Sequence, residues 1–149
     1  MIVERYTGNV SLLLPVIRRW REEANKDFGF EMDELVHLQD LQSLIDGDGE
    51  LFVLRDKEIV GYMGLTIFKS PLGFERIANE HFWYVIPEAR GISSIRLIKE
   101  AHKWAREKGC QYLMMTASEM ASDMHDTVCQ IYERMGMRRF ETTFIRKVI

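Results

Sequence analysis

A chain of 149 residues, 46% apolar and 29% charged, has the size and balance of one globular domain with room for a sizeable core. A net charge of −3 excludes a general affinity for nucleic acid, which calls for a basic surface, so any bound anion must be held by local donors. No apolar run nears the roughly 20 residues that span a bilayer, and the opening MIVERYTGNV lacks the basic-then-apolar layout of a signal peptide, so a cytoplasmic protein with no membrane partner is expected.

In chain order, IVERYT reads as a short first strand. In NVSLLLPVIRRWREEANK the residues Leu13, Val16, Ile17 and Trp20 recur at helical spacing, with Asn9 or Ser11 placed to cap. A second helix is predicted over MDELVHLQDLQSLI, with Leu35, Leu38, Leu41 and Ile45 on one face, and the turn chemistry of Asp46–Gly49 ends it. The run LFVLRDKEIVGYMGLTIFKS has two β-prone stretches around Asp56-Lys57-Glu58, a hairpin pattern. SPLGF supplies another turn, and RIANEHFWYVI is a third strand rich in bulky side chains.

Leu97, Ile98, Ala101, Trp104 and Ala105 then form an apolar helical stripe that stops near Gly109. QYLMMTA is a buried strand, and TVCQIYERMG a helix with Val128, Ile131, Tyr132 and Met135 on one side. The alternation of RRFETTFIRKV predicts a last, half-exposed strand. The order is β-α-α-β-β-β-α-β-α-β. Short turns make the early strands antiparallel, and the strand-helix-strand crossover over 82–116 makes a parallel pair. The expected fold is a single α/β domain, residues 1–149, with a mixed central sheet flanked by helices on both faces.

Other chemistries fail at the level of motifs. There is no HExxH, no CxxC pair and no acidic loop of metal-binding spacing, so no metal site is expected. A P-loop and a GxSxG elbow are also missing, and Cys110 and Cys129 read as buried thiols. The methionines of the second half, Met114, Met115, Met120, Met124, Met135 and Met137, read as adaptable core packing. His37 and His102 sit in charged helices and are expected in solvent.

Three patterns in the second half, YVIPEARG, LIKEAHKWAREKGCQYLMM and IYERMGM, occur in an order and spacing that resembles the GNAT superfamily of N-acetyltransferases. The last looks like that family's Tyr-x-x-x-Gly-Phe segment, with Met137 in the Phe place. The resemblance implies acetyl-CoA as co-substrate, an amine of unknown identity as acceptor, and a possible homodimer. It also implies that the loop of Arg90, Gly91, Ile92, Ser93 and Ser94 holds a pyrophosphate at a helix N-terminus, where unpaired N–H groups and about half a positive charge favour an anion. Arg96, one turn into the helix, is within reach of the same phosphate. The strand end Tyr84-Val85-Ile86 would pair its backbone with the pantetheine arm, as an added strand does. Ser93 and Ile95 stand where the family pattern has Gly or Ala, and either Ser93 or Ser94 is equally suited to cap the helix.

Acetyl transfer to an amine needs a base for the ammonium, a donor for the oxyanion and an acid for the leaving thiolate. By resemblance Tyr132 is the acid, although its place four residues after Val128 also suits a core tyrosine. Glu80 is the candidate base, five residues before Val85; the other reading is a solvent-facing strand glutamate. His81 points away from Glu80 in a regular strand. The Val85 N–H is the implied oxyanion donor. His125, seven residues before Tyr132, stands where relatives often carry an asparagine that contacts the cofactor, but reads first as a loop histidine before a helix. The alternative to an enzyme is a CoA-binding or interaction module that kept the fold and lost catalysis.

Overall fold

A computed structural model describes residues 1–28 and 30–149. The first strand, β1 (Ile2–Arg5), leads through a short 3₁₀ turn to α1 (Leu14–Glu23) and α2 (Glu34–Asp46). Then come β2 (Glu50–Arg55), β3 (Ile59–Lys69), β4 (Arg76–Val85), α3 (Ile92–Glu107), β5 (Tyr112–Met114) and α4 (His125–Arg134). The strands lie in the order β1-β2-β3-β4-β5; β1 to β4 are antiparallel and β5 is parallel to β4, as the α3 crossover requires.

Local chemistry sets the helix starts. Asn9 Oδ1 accepts the Ser11 N–H at 2.9 Å, and Pro15 stands in the first turn of α1, where its missing N–H costs nothing. Asp33 Oδ1 accepts the Val36 N–H at 3.0 Å at the start of α2. The hairpin at Asp56-Lys57-Glu58 closes with the Asp56 N–H donating to the Glu58 carbonyl.

The sheet is buried on both faces at its centre, so β2 is apolar from Leu51 to Leu54 between the charged ends Glu50 and Arg55. Leu51 and Val53 pack with α1 and α2, whereas Phe52 and Leu54 pack with α3. All five apolar residues of the expected α3 stripe are buried. Three expectations need correction. On α2 the buried residues are Leu41 and Leu44, while Leu35 is exposed, because the helix is rotated toward the 41/44 edge of its apolar arc. Helix α1 ends at Glu23 instead of running to Lys26. Residues 138–149 form no strand: every one is exposed, and alternation without a hydrogen-bonding neighbour does not hold a strand in water.

Candidate functional site

The site begins with an extra residue. β3 and β4 are in register from Lys69↔Arg76 to Leu65↔Glu80, then resume at Gly64↔Phe82, which leaves His81 as a bulge. Strict alternation would put Glu80, Phe82 and Tyr84 on one face. Instead Phe82 and Tyr84 pack with α1 and α2, while Glu80 faces the α3/α4 side beside Tyr132. Gly64 permits this, because a Cβ there would lie 2.4 Å from the Phe82 ring. His81 stays exposed and its ring meets the Phe82 edge.

Glu80 and Tyr132 are each 7% exposed, and both hydrogen-bond one residue just beyond β5. Glu80 Oε2 accepts the Thr116 N–H at 3.1 Å, and the Tyr132 hydroxyl donates to the Thr116 carbonyl at 3.2 Å. Burial raises the Glu80 carboxyl to about 7, with the Thr116 N–H pulling the other way. Burial, and next the nearby Glu80 charge, raise the Tyr132 phenol above its ordinary value. The pair therefore combines a carboxyl that titrates near neutrality with a phenol that keeps its proton.

β4 and β5 part at this point. Their last pair is Asn79↔Met114, and from Glu80 to Val85 the edge of β4 toward β5 has no partner strand among the described residues. The Ile86 N–H donates to Val60 on β3, so one residue back the Val85 peptide groups turn toward the opening. By the same alternation Tyr84 and Ile86 give their backbone to β3, and it is Val85 that offers an N–H to the gap. The indole N–H of Trp83, whose ring lies against Tyr132, is buried and has no acceptor among the described residues.

At the wide end of the gap stands the loop before α3. Gly91 adopts φ 121°, ψ −142°, a conformation open to glycine alone, and a Cβ there would meet nothing within 4 Å. The Ser94 hydroxyl is spent inside the turn, donating to the Gly91 carbonyl at 2.7 Å and accepting its N–H at 3.2 Å. The N–H groups of Ile92 and Ser93, first in the helix, have no acceptor among the described residues. No acidic residue occupies that first turn. Two free amides, the positive end of a 16-residue helix and open space before Gly91 fit an anion such as a pyrophosphate.

Arg90 points elsewhere. Its Nη2 donates to Glu23 Oε2 at 2.7 Å, its Nε to the Val85 carbonyl at 2.9 Å, and Nη1 meets Met124 Sδ at 3.0 Å. The same Glu23 oxygen accepts the Tyr84 hydroxyl at 2.8 Å, and the Tyr84 ring stacks on Trp20. Burial, then Glu23, raise the Tyr84 phenol. Arg96 reaches away from the loop to the Met1 carbonyl, and His125 lies at the start of α4 beside Asp126. His37, expected in solvent, is instead half-buried among Trp20, Tyr62 and Phe82, its Nε2 2.7 Å from the Tyr62 hydroxyl, and burial lowers its pKa. Its spacing from Leu41 and Leu44 is the signal that marks it for the buried face. Nothing local in WREEA distinguishes Glu23 from its neighbour Glu22.

The model of the acetyltransferase (GNAT) family matches residues 15–137. Among solved structures, a probable acetyltransferase is similar at 21% identity and a TM-score of 0.75, covering 100% of this chain and 99% of its own. A transcriptional regulator from Bacillus halodurans C-125 is similar at 16% identity and TM-score 0.78, covering 99% and 100%. An aminoglycoside acetyltransferase from an uncultured soil metagenomic sample is similar at 16% identity and TM-score 0.71, with full coverage of both chains. At these identities the likeness speaks for the fold. No curated protein sequence matches the chain.

Proposed function

This chain belongs to the GNAT family of acetyltransferases, and on that footing we propose that it moves an acetyl group from acetyl-CoA directly to an amine. The observation that carries the reading is the convergence of Glu80 and Tyr132 on Thr116, at the point where β4 and β5 part. In this proposal the pyrophosphate of the donor rests on the Ile92 and Ser93 amides, and its amide-bearing arm follows the open edge of β4. Val85 and Trp83 offer N–H groups along that path.

The amine arrives as an ammonium, with a solution pKa of about 10.4 for a lysine-like group. Glu80, poised near 7, takes its proton directly or through a water. The free amine pair attacks the thioester carbonyl carbon; a C–N bond forms and the carbonyl oxygen gains charge, which the Val85 N–H stabilises. As the tetrahedral centre collapses, the C–S bond breaks and the Tyr132 hydroxyl passes its proton to the departing sulfur. The proton still carried by the attacking nitrogen leaves through water to the phenolate, so that a neutral amide, a thiol and the Tyr132 hydroxyl remain. The 3.2 Å bond to Thr116 is long enough to surrender easily. Acetyl-CoA chemistry and two unpaired cysteines suit a reducing, cytoplasmic setting.

Titration calorimetry with acetyl-CoA, followed by turnover on a panel of amines, tests the proposal. Binding with transfer is the expected result. Failure of any CoA species to bind overturns it, and binding without transfer across the panel reduces the protein to a CoA-binding module.

A further inference from the structure

Val85 is the last residue of β4, and on its gap side no strand pairs with it among the described residues. The Ile86 N–H, bonded to the Val60 carbonyl at 2.9 Å, ends the ladder to β3, and Pro87 after it has no N–H to give. A strand end held along one edge is free to rock. An oxyanion donor must instead stay aimed, because small misplacements of a catalytic group cost rate steeply.

Side chains supply the missing support. The 3₁₀ turn Pro87–Ala89 folds the chain back, so that Arg90 Nε donates to the Val85 carbonyl at 2.9 Å. Arg90 Nη2 donates to Glu23 Oε2 at 2.7 Å, and the same oxygen accepts the Tyr84 hydroxyl at 2.8 Å. These contacts close on themselves: Tyr84 to Glu23, Glu23 to Arg90, Arg90 to Val85, and the backbone from Val85 to Tyr84. The backbone arc of that circuit is the Tyr84–Val85 peptide, which carries the Val85 N–H. Both residues that it joins are tied down. The Tyr84 ring is braced in turn, stacked on Trp20 at 5.5 Å and 9°, with the Arg90 guanidinium 5.6 Å from its centre. A planar guanidinium fixes the directions of its N–H groups, so one arginine sets two acceptors at a set angle.

We propose that Glu23 and Arg90 are positioning residues for acetyl transfer: through Tyr84 and the Val85 carbonyl they clamp the peptide whose N–H meets the oxyanion. This rests on the acetyl-transfer reading above. It gives Arg90 a part in the chemical step in place of the donor's phosphates, and it ties the last residue of α1 to the reacting centre.

Two mild variants of the whole chain test this. Tyr84→Phe cuts the circuit at Glu23 and leaves the ring on Trp20, while Arg90→Lys keeps the charge but cannot hold both acceptors. Nitrogen-15 relaxation is expected to show the wild-type Val85 amide near the rigid order parameter of about 0.85, falling in each variant. In each, kcat is expected to drop about tenfold, less than the roughly 10²–10³ that loss of an oxyanion donor costs, with acetyl-CoA affinity by calorimetry unchanged. The double variant should be no slower than the slower single, since one cut already opens the circuit. Weaker acetyl-CoA binding by Arg90→Lys with kcat intact overturns the proposal and returns Arg90 to the phosphates. A Val85 amide that is mobile in the wild type, or a kcat undiminished in both variants, overturns it as well. A wild type that binds acetyl-CoA yet transfers acetyl to no amine overturns the acetyl-transfer reading instead, and the Val85 order parameters then decide the clamp by themselves.

Discussion

Glu80 and Tyr132 are tied to opposite ends of one residue: the carboxyl accepts a hydrogen bond from the Thr116 N–H and the phenol donates one to the Thr116 carbonyl. That arrangement holds a carboxyl and a phenol on the same side of the sheet, each bonded to Thr116. It also places them where β4 loses its partner, so both face the same opening. The His81 bulge is what brings Glu80 to this face while Phe82 and Tyr84 turn to the other.

Glu80→Gln separates the two consequences of a carboxyl raised to about 7. With Glu80 as the base, wild-type kcat/KM rises with pH through an apparent pKa near 7, and the variant loses that limb. Stability moves the opposite way. The fold favours the protonated form, so the carboxyl's contribution is intact below about 4.5 and disappears as pH climbs through 7. Above pH 8 the Gln variant should be more stable than wild type by roughly 3 kcal/mol, taking about 1.4 kcal/mol per pH unit. Urea unfolding at pH 5 and pH 8 measures this; an equal difference at both would show that Glu80 is not titrating.

Tyr132→Phe keeps the ring against Trp83 and removes the hydroxyl alone. The expected result is a kcat lower by about 10²-fold, within the range for loss of a general acid, with the KM for acetyl-CoA little changed. Acceptors with the same amine but donors with better thiol leaving groups should recover part of the loss. An undiminished kcat would return Tyr132 to the core.

Gly91→Ala forces a side chain into φ 121° with no steric neighbour to blame, so the effect isolates backbone conformation. Strain of about 1–3 kcal/mol is expected, lowering Tm by about 3–9 °C. Re-aiming the Ile92 and Ser93 amides should weaken acetyl-CoA binding by about tenfold or more, which calorimetry reads directly. Binding at wild-type strength would mean that these amides do not hold the anion.

Gly64→Ala drives a methyl into the Phe82 ring, where Cε2 and Cζ lie 2.4 and 2.5 Å from its position. The overpacking is expected to cost about 1–3 kcal/mol in urea unfolding. It should also lower kcat beyond what stability explains, because Phe82 flanks the bulge that aims Glu80. Phe82→Leu in the same chain should restore stability, and the double-mutant cycle gives the coupling.

Much of the scaffold is legible in the residues. The α3 stripe, the Asp56–Glu58 hairpin and the parallel β4–β5 pair follow from periodicity, turn chemistry and the handedness of a crossover. Glu80, Tyr132 and Val85 were selected by resemblance, and the structure brings them to one opening. Arg90, chosen with them as added charge for a phosphate, is instead taken up by Glu23 and the Val85 carbonyl. His37 illustrates a legible signal overridden by composition, since its charged neighbours hide a position on the Leu41/Leu44 face.

What the sequence determined alone is local: where helices start and stop, which residues alternate, and that a helix N-terminus follows PEARG. Those features depend on neighbours within a turn or two. What only the tertiary structure decided is the side of the sheet on which Glu80 lies, the partner of Arg90 and the fate of residues 138–149. Each depends on a group distant in the chain, as with Glu23 and Arg90, 67 residues apart, or Glu80 and Thr116, 36 apart. A single bulged residue reverses every side chain beyond it, and the spacing of apolar residues carries no mark of where that reversal falls.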